Sequence, residues 1–348
     1  MRMHDRRHPW SVRAWALAVV VMTAAACGGD DDDETATEST TTTTAVAGGS
    51  PLTGLAPADP AVLGRPALVV KFDNAPKARP QAGINEADVV VEEGVEGGVT
   101  RFAAIFHSAD APSVGPVRSA RSTDIALSRQ LGRPLFAYSG ANAVFAKLLK
   151  ESPLVDVGVG VVPSAYRREK GRPSPYNLFS STPPLFAKAT ADLPPPGPLF
   201  QYRAPGEAPA EQGSEPAVKV TGVWRGRIVT TVVFEWDAAG AAFPRTQDGT
   251  PHVDAAGVRV APANVVFQVV KYVDTGLVDR SGAAVPEAEL IGEGEAVVLT
   301  GGRLIRGRWS KAGVDDLTSY TDAAGEPIRL TRGRTWVELV PEGNLTVG

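Results

Sequence analysis

The chain predicts an α+β protein, with a mixed α/β N-terminal domain over residues 51–195 and a β-rich C-terminal domain over residues 217–341. Three features carry that expectation. Between residues 67 and 150 short apolar runs alternate with helical patterns. From Ala217 onward apolar and polar residues alternate with the two-residue period of strands. A proline-rich stretch separates the two regimes.

In order, Ala67–Phe72, Ala87–Glu92, Thr100–Phe106 and Leu135–Tyr138 read as strands. Ser122–Gln130 reads as a helix with Asp124 in its first turn. Asn142–Lys150 reads as an amphipathic helix carrying Val144, Phe145, Leu148 and Leu149 on one side. Leu193–Pro198 holds four prolines, which remove donors and fix φ, so residues 196–216 predict a Pro/Gly-rich linker. Beyond it, Val218–Trp224 and Ile228–Trp236 predict a hairpin around Arg225-Gly226-Arg227. Asn264–Val273, Ala296–Thr300, Leu304–Trp309 and Thr335–Val340 predict further strands, with Gly301-Gly302 as a hairpin turn. Trp224, Trp236, Trp309 and Trp336 suit a shared core.

The N-terminus gives an address. Arg2, Arg6, Arg7 and Arg13 precede the uncharged run Ala14–Ala26, which is too short to span a bilayer, so residues 1–26 read as a lipoprotein signal peptide. Ala24-Ala25-Ala26 before Cys27 resembles the bacterial lipoprotein processing box, although Ala24 stands where Leu is usual. Lipidation of Cys27 would hold the mature chain on the extracytoplasmic face of the cell membrane, with the lipid bilayer as its first partner. Plain secretory cleavage is the alternative, and Arg6-Arg7 leaves the twin-arginine route open beside the general one. Residues 27–50 form an acidic, Thr-rich tether whose composition cannot offset ordering entropy. Removing the signal peptide takes the formal charge from −4 to −7, and six of those negatives lie in the tether. A near-neutral folded part gives no field for nucleic acid. One Cys excludes internal disulfides and zinc ribbons, and no cofactor-binding glycine loop, HExxH motif or nucleophile elbow occurs; neither a cofactor nor a metal site is expected.

Three polar clusters remain. Lys71–Gln81 follows the first strand, where α/β sheets usually place ligands, and contributes Asp73, Asn74 and Arg79. Glu92–Arg101 carries Glu92, Glu93 and Glu96 around a glycine turn. Gly115–Asp124 brings Arg118, Ser119 and Arg121 to a predicted helix start at Ser122, an arrangement suited to phosphate or carboxylate. With Arg101 from the adjacent strand, three guanidiniums converge. The same arginines can instead neutralise Glu92, Glu93 and Glu96 in a structural network, and both readings stay open. His107 and His252 read as structural.

PLTG (51–54), KARPQAG (77–83), ADVVVE (87–92), EGGVTRF (96–102), GPVRSAR (115–121) and SPYN (174–177), followed by PHVD (251–254), ANVVFQVVKY (263–272), GEGEAVVLTGGRLIRGRW (292–309) and GRTWVEL (333–339), resemble the YerB-like lipoprotein family, a bacterial domain of unknown function with N- and C-terminal parts. The resemblance implies a two-part envelope lipoprotein and adds Asn177 to the candidate ligand residues. Tyr176 stands where many relatives have His. It brings no activity. The expected function is therefore an anchored lipoprotein that binds an anionic envelope ligand or an envelope protein through an arginine pocket. The acids and arginines crowded between residues 92 and 124 suggest the alternative, a metal-assisted enzyme on phosphorylated glycan or polyprenyl-phosphate precursors, and the general arrangement also resembles cell-wall phosphotransferases of the LytR-CpsA-Psr type. In that reading Glu92, Glu93 or Asp124 would hold the metal or act as base.

Overall fold

A computed structural model describes residues 49–211, 213–279 and 282–348. The signal peptide, Cys27 and nearly all of the tether lie outside the described residues.

The N-terminal part supplies β1 (Leu68–Asp73), β2 (Val89–Gly94), β3 (Thr100–Phe106), α1 (Thr123–Arg129), β4 (Leu135–Ala137), α2 (Ala143–Glu151), β5 (Val155–Asp156), β6 (Arg167–Arg168), β7 (Leu178–Phe179) and α3 (Thr182–Phe186). The C-terminal part supplies β8 (Val220–Arg225), β9 (Val229–Phe234), β10 (Arg245–Gln247), β11 (Thr250–Pro251), β12 (Asn264–Val270), β13 (Tyr272–Val278), β14 (Ala284–Ala288), β15 (Gly292–Thr300), β16 (Arg303–Lys311), β17 (Ser319–Asp322), β18 (Thr335–Pro341) and β19 (Leu345–Val347). This is the α+β class, with a β-rich C-terminal part.

Both parts build one sheet. Its strands run β17-β16-β15-β12-β18-β2-β3-β1-β4-β5, with Glu215–Pro216 paired to β16 beside that path. The seam is β18, parallel to β12 on one side and to β2 on the other, so that Val90 faces Trp336 and Glu92 faces Glu338. A second sheet, β11-β10-β9-β8-β19, covers one face of the first. There Val70, Phe72, Val90, Phe102, Phe267 and Trp336 pack with Val220, Trp224, Val232 and Phe234. On the opposite face Val69, Val91, Ala103, Ile105, Val337 and Leu339 pack with Leu127, Phe145 and Leu149 of α1 and α2 and with Leu199 and Phe200. Central strands covered on both sides read as near-continuous apolar runs, as Ala67–Val70 does before Lys71.

Several expectations change in detail. Trp309 packs on the helical face, whereas Trp224 and Trp336 pack on the other, so the four tryptophans do not share one core. On α2 only Phe145 and Leu149 are buried; Val144 and Leu148 are exposed. The run Asn264–Val273 breaks at Lys271, because Tyr272 leaves the main sheet for the ribbon β13–β14. There its hydroxyl accepts from Gly94 N–H at 2.8 Å and donates to the Leu339 carbonyl at 2.8 Å. Gly98 and Gly226 hold the two parts together. A Cβ on Gly98 would lie 2.1 Å from the Ile228 carbonyl oxygen, and one on Gly226 would lie 2.4 Å from Gly97, so only glycine permits this approach.

Candidate functional site

Side chains alternate between the faces of a sheet, and that alternation divides the predicted residues into two sites. In the registered pairs Asp73–Arg101 and Glu93–Arg101, both members point to the helical face. Arg118, Ser119 and Arg121 lie on the loop after β3, which is pinned beside β1. Asp73 N–H donates to the Pro116 carbonyl, and Arg118 N–H donates to the Lys71 carbonyl at 2.8 Å. Arg101, Arg118, Ser119 and Arg121 line a cavity of about 470 Å³ with Glu96, Ser139–Asn142, Arg168, Ser174, Asp279 and Val285.

The arginines both pair with acids and face open space. Arg121 binds Glu96 through both ends of its guanidinium, at 2.6 and 2.7 Å. Arg118 Nε sits 2.7 Å from Asp73 Oδ2. Arg101 is 7% exposed, donates Nη1 to the Ser119 carbonyl at 2.8 Å, and comes no nearer than 4.0 Å to Glu96. Its Nε is buried with no hydrogen-bond partner. Burial, reinforced by repulsion from Arg121, lowers the Arg101 pKa to about 10. A guanidinium that is pressed to lose its charge gains from an anion placed beside it. Arg168, exposed on β6, adds a fourth cation and donates to Asn177 Oδ1 at 2.8 Å. Asn177 thus supports Arg168.

The expected helix start carries no anion site. α1 is seven residues long, and Asp124 Oδ2 accepts the Arg121 N–H at 2.7 Å, so the helix's own carboxylate occupies that end. Glu96 is buried against Arg121, the kind of pairing that the structural-network reading expects.

Asn74 and Arg79 do not join this cavity. Asn74 points to the other face and donates to Glu92 Oε1 at 3.1 Å and to Thr100 Oγ1 at 2.7 Å. Arg79 pairs with Asp248 at 3.0 Å and borders a separate cavity of about 510 Å³ between Pro76–Pro80 and Gln247–Val253. Beneath that second cavity lies a buried network. Arg245 Nη2 donates to Glu92 Oε2 at 2.5 Å, and Nη1 donates to Gln247 Oε1 and to His252 Nδ1, both at 2.8 Å. His252 Nε2 meets Gln81 Oε1 at 3.0 Å. These contacts fix the neutral Nε2–H tautomer, and burial beside Arg245 lowers the His252 pKa well below that of free imidazole. Glu338 lies against the same group, 3.8 Å from Arg245 Nε. Burial, and then the charge of Glu92, raise its pKa well above the usual carboxylate range.

The three acids offered for metal or base chemistry do not share one site. Glu92 is held by Arg245 on one face. Glu93 and Asp124 are held on the other by Lys71, whose ammonium lies 2.6 and 2.8 Å from them, where a shared cation would have to sit. Sequence reasoning missed Lys71, although a lysine inside an apolar run was the available signal. Arg245 and Glu338 gave no local signal.

Two family models match in chain order. "Protein of unknown function (DUF3048) N-terminal domain" covers residues 52–194, and the corresponding C-terminal domain covers residues 223–337. The chain belongs to the DUF3048 family. A DUF3048 relative from Bacillus subtilis (strain 168), named "Putative lipoprotein YerB", is 28% identical over 314 residues, spanning 84% of this chain and 86% of the relative. The crystal structure of the YerB protein from Bacillus subtilis shares the fold, with a TM-score of 0.74 at 24% identity over 86% of this chain and 99% of that one.

Proposed function

We propose that this DUF3048 member is a lipoprotein held through Cys27 on the extracytoplasmic face of the cell membrane, and that its arginine-lined cavity binds an anionic envelope ligand. The processing box before Cys27 and the lipoprotein name of the Bacillus subtilis relative support the anchored location. The observation that supports the binding reading is Arg101, a buried guanidinium beside three further arginines on the cavity wall, with Asp73 and Glu96 as the acids that act on it and no carboxylate within hydrogen-bond distance. Guanidiniums recognise phosphate and carboxylate groups through paired, charge-assisted hydrogen bonds.

The test is a thermal-shift titration of the full-length protein in detergent with inorganic phosphate and pyrophosphate. Stabilisation that grows with ligand concentration and weakens in Arg168→Ala supports the reading. Arg168 is exposed, so its loss leaves the fold intact. A flat response in wild type, or an equal response in Arg168→Ala and Arg118→Lys, overturns it.

A further inference from the structure

Behind the arginine loop, three buried charges do not balance. Lys71, Glu93 and Asp124 have side chains at most 1% exposed, and one ammonium serves two carboxyl groups. This group is joined to the cavity through the backbone at two points. The Lys71 carbonyl accepts the Arg118 N–H, and Asp124 Oδ2 accepts the Arg121 N–H. The residues that carry the cavity's arginines are therefore seated directly on the trio.

We propose that Lys71, Glu93 and Asp124 form a positioning triad beneath the arginine loop, and that an anion entering the cavity is taken up together with a proton on Glu93. The inference rests on the anion-binding reading above. With both acids ionised the triad carries an uncompensated negative charge in a place that water does not reach, which is costly. Positive charge in the cavity offsets part of that cost, and Arg121 acts on Glu93 in this sense. An anion in the cavity cancels the offset, so Glu93 then holds its proton more tightly. By linkage, protonated Glu93 tightens anion binding.

The groups facing Glu93 are Lys71 from β1, Asp124 from α1, Arg121 from the loop, its registered neighbour Arg101 on β3, and the Tyr272 hydroxyl from β13. Of these carboxyl groups, Glu93 is the one pushed up to about 7, by burial and then by the charge of Asp124. His107 and His252 have lowered pKa values and remain neutral from pH 6 to 8. The other raised carboxyl groups lie away from the cavity, Glu338 against Arg245 and Asp88 against the His107 N–H, which leaves Glu93 as the raised group beneath the arginine loop.

Sulfate is the probe, because its charge does not change between pH 6 and 8. It is titrated calorimetrically into the full-length protein in detergent at both pH values, in two buffers of different ionisation enthalpy. The expected wild-type result is a Kd roughly fivefold tighter at pH 6, with proton uptake on binding at pH 8, as an effective dielectric near 20 allows for charges this close. Glu93→Gln, which copies the protonated side chain, is expected to bind equally at both pH values with no proton exchange. Should that variant not fold, Asp124→Asn serves instead. It leaves Lys71 to Glu93 alone and is expected to move the pH dependence below 6. Sulfate binding in wild type that is independent of pH, or a slope that survives in Glu93→Gln, overturns the proton coupling. No sulfate binding at either pH overturns the anion-binding reading itself.

Discussion

Two polar clusters lie back to back on the central strands, and they use their charges differently. On the face covered by the second sheet, Glu92, Arg245, Glu338, His252, Gln81 and Asn74 are all buried and tied mostly to one another, although Arg245 Nε and the Glu338 carboxyl oxygens have no hydrogen-bond partner. On the helical face, Arg101, Arg118, Arg121 and Arg168 border an open cavity, so four guanidiniums there face space instead of a closed set of partners. A closed network spends its hydrogen bonds on holding the two parts of the chain together. An open one leaves some for a ligand.

Removing the charge at the centre of the closed network gives the largest expected effect. Arg245→Ala leaves Glu92 and Glu338 facing each other without their cation, at a cost of about 3–5 kcal/mol, measured by urea unfolding. A loss below about 1 kcal/mol would show that the seam does not depend on this group. Lys71→Met, behind the open site, is expected to cost nearly as much, because it strands two carboxyl groups.

The pH dependence of stability comes next. The folded carboxyl of Glu93 is raised from the ordinary 4.5 to about 7, so the folded state holds the proton more tightly than the unfolded chain does. That contribution is complete below about 4.5 and is lost as pH rises through about 7, a fall of roughly 3 kcal/mol. Chemical unfolding at pH 5 and pH 8 should show the fall in wild type and a smaller one in Glu93→Gln. Arg168→Ala gives the smallest effect on folding and the sharpest contrast. Its melting temperature should match wild type, while phosphate affinity drops roughly tenfold.

Much of the secondary structure was legible in local pattern. β1, β3, α1 and the turn at Gly301-Gly302 follow from apolar runs, helical spacing and paired glycines within a few residues. The arginines 101, 118 and 121 were legible as a set, because two lie three positions apart and the third begins a neighbouring strand. The split between Asp73 and Asn74 was not. Adjacent residues at the end of β1 point to opposite faces, and which face holds a cavity depends on what covers it. Arg245 and Glu338 carry no local mark, since their burial arises only when β10 and β18 come to lie beside β2.

By itself, then, the sequence determined the α+β class and the identity of the arginine cluster, because each is written in composition or in short-range periodicity. Only the tertiary structure decided that both parts share one sheet, and which arginines face space and which acids face a cation. These depend on strand register and on contacts between residues more than a hundred positions apart, such as Glu92 with Arg245 and Trp224 with Leu339, which no local pattern encodes.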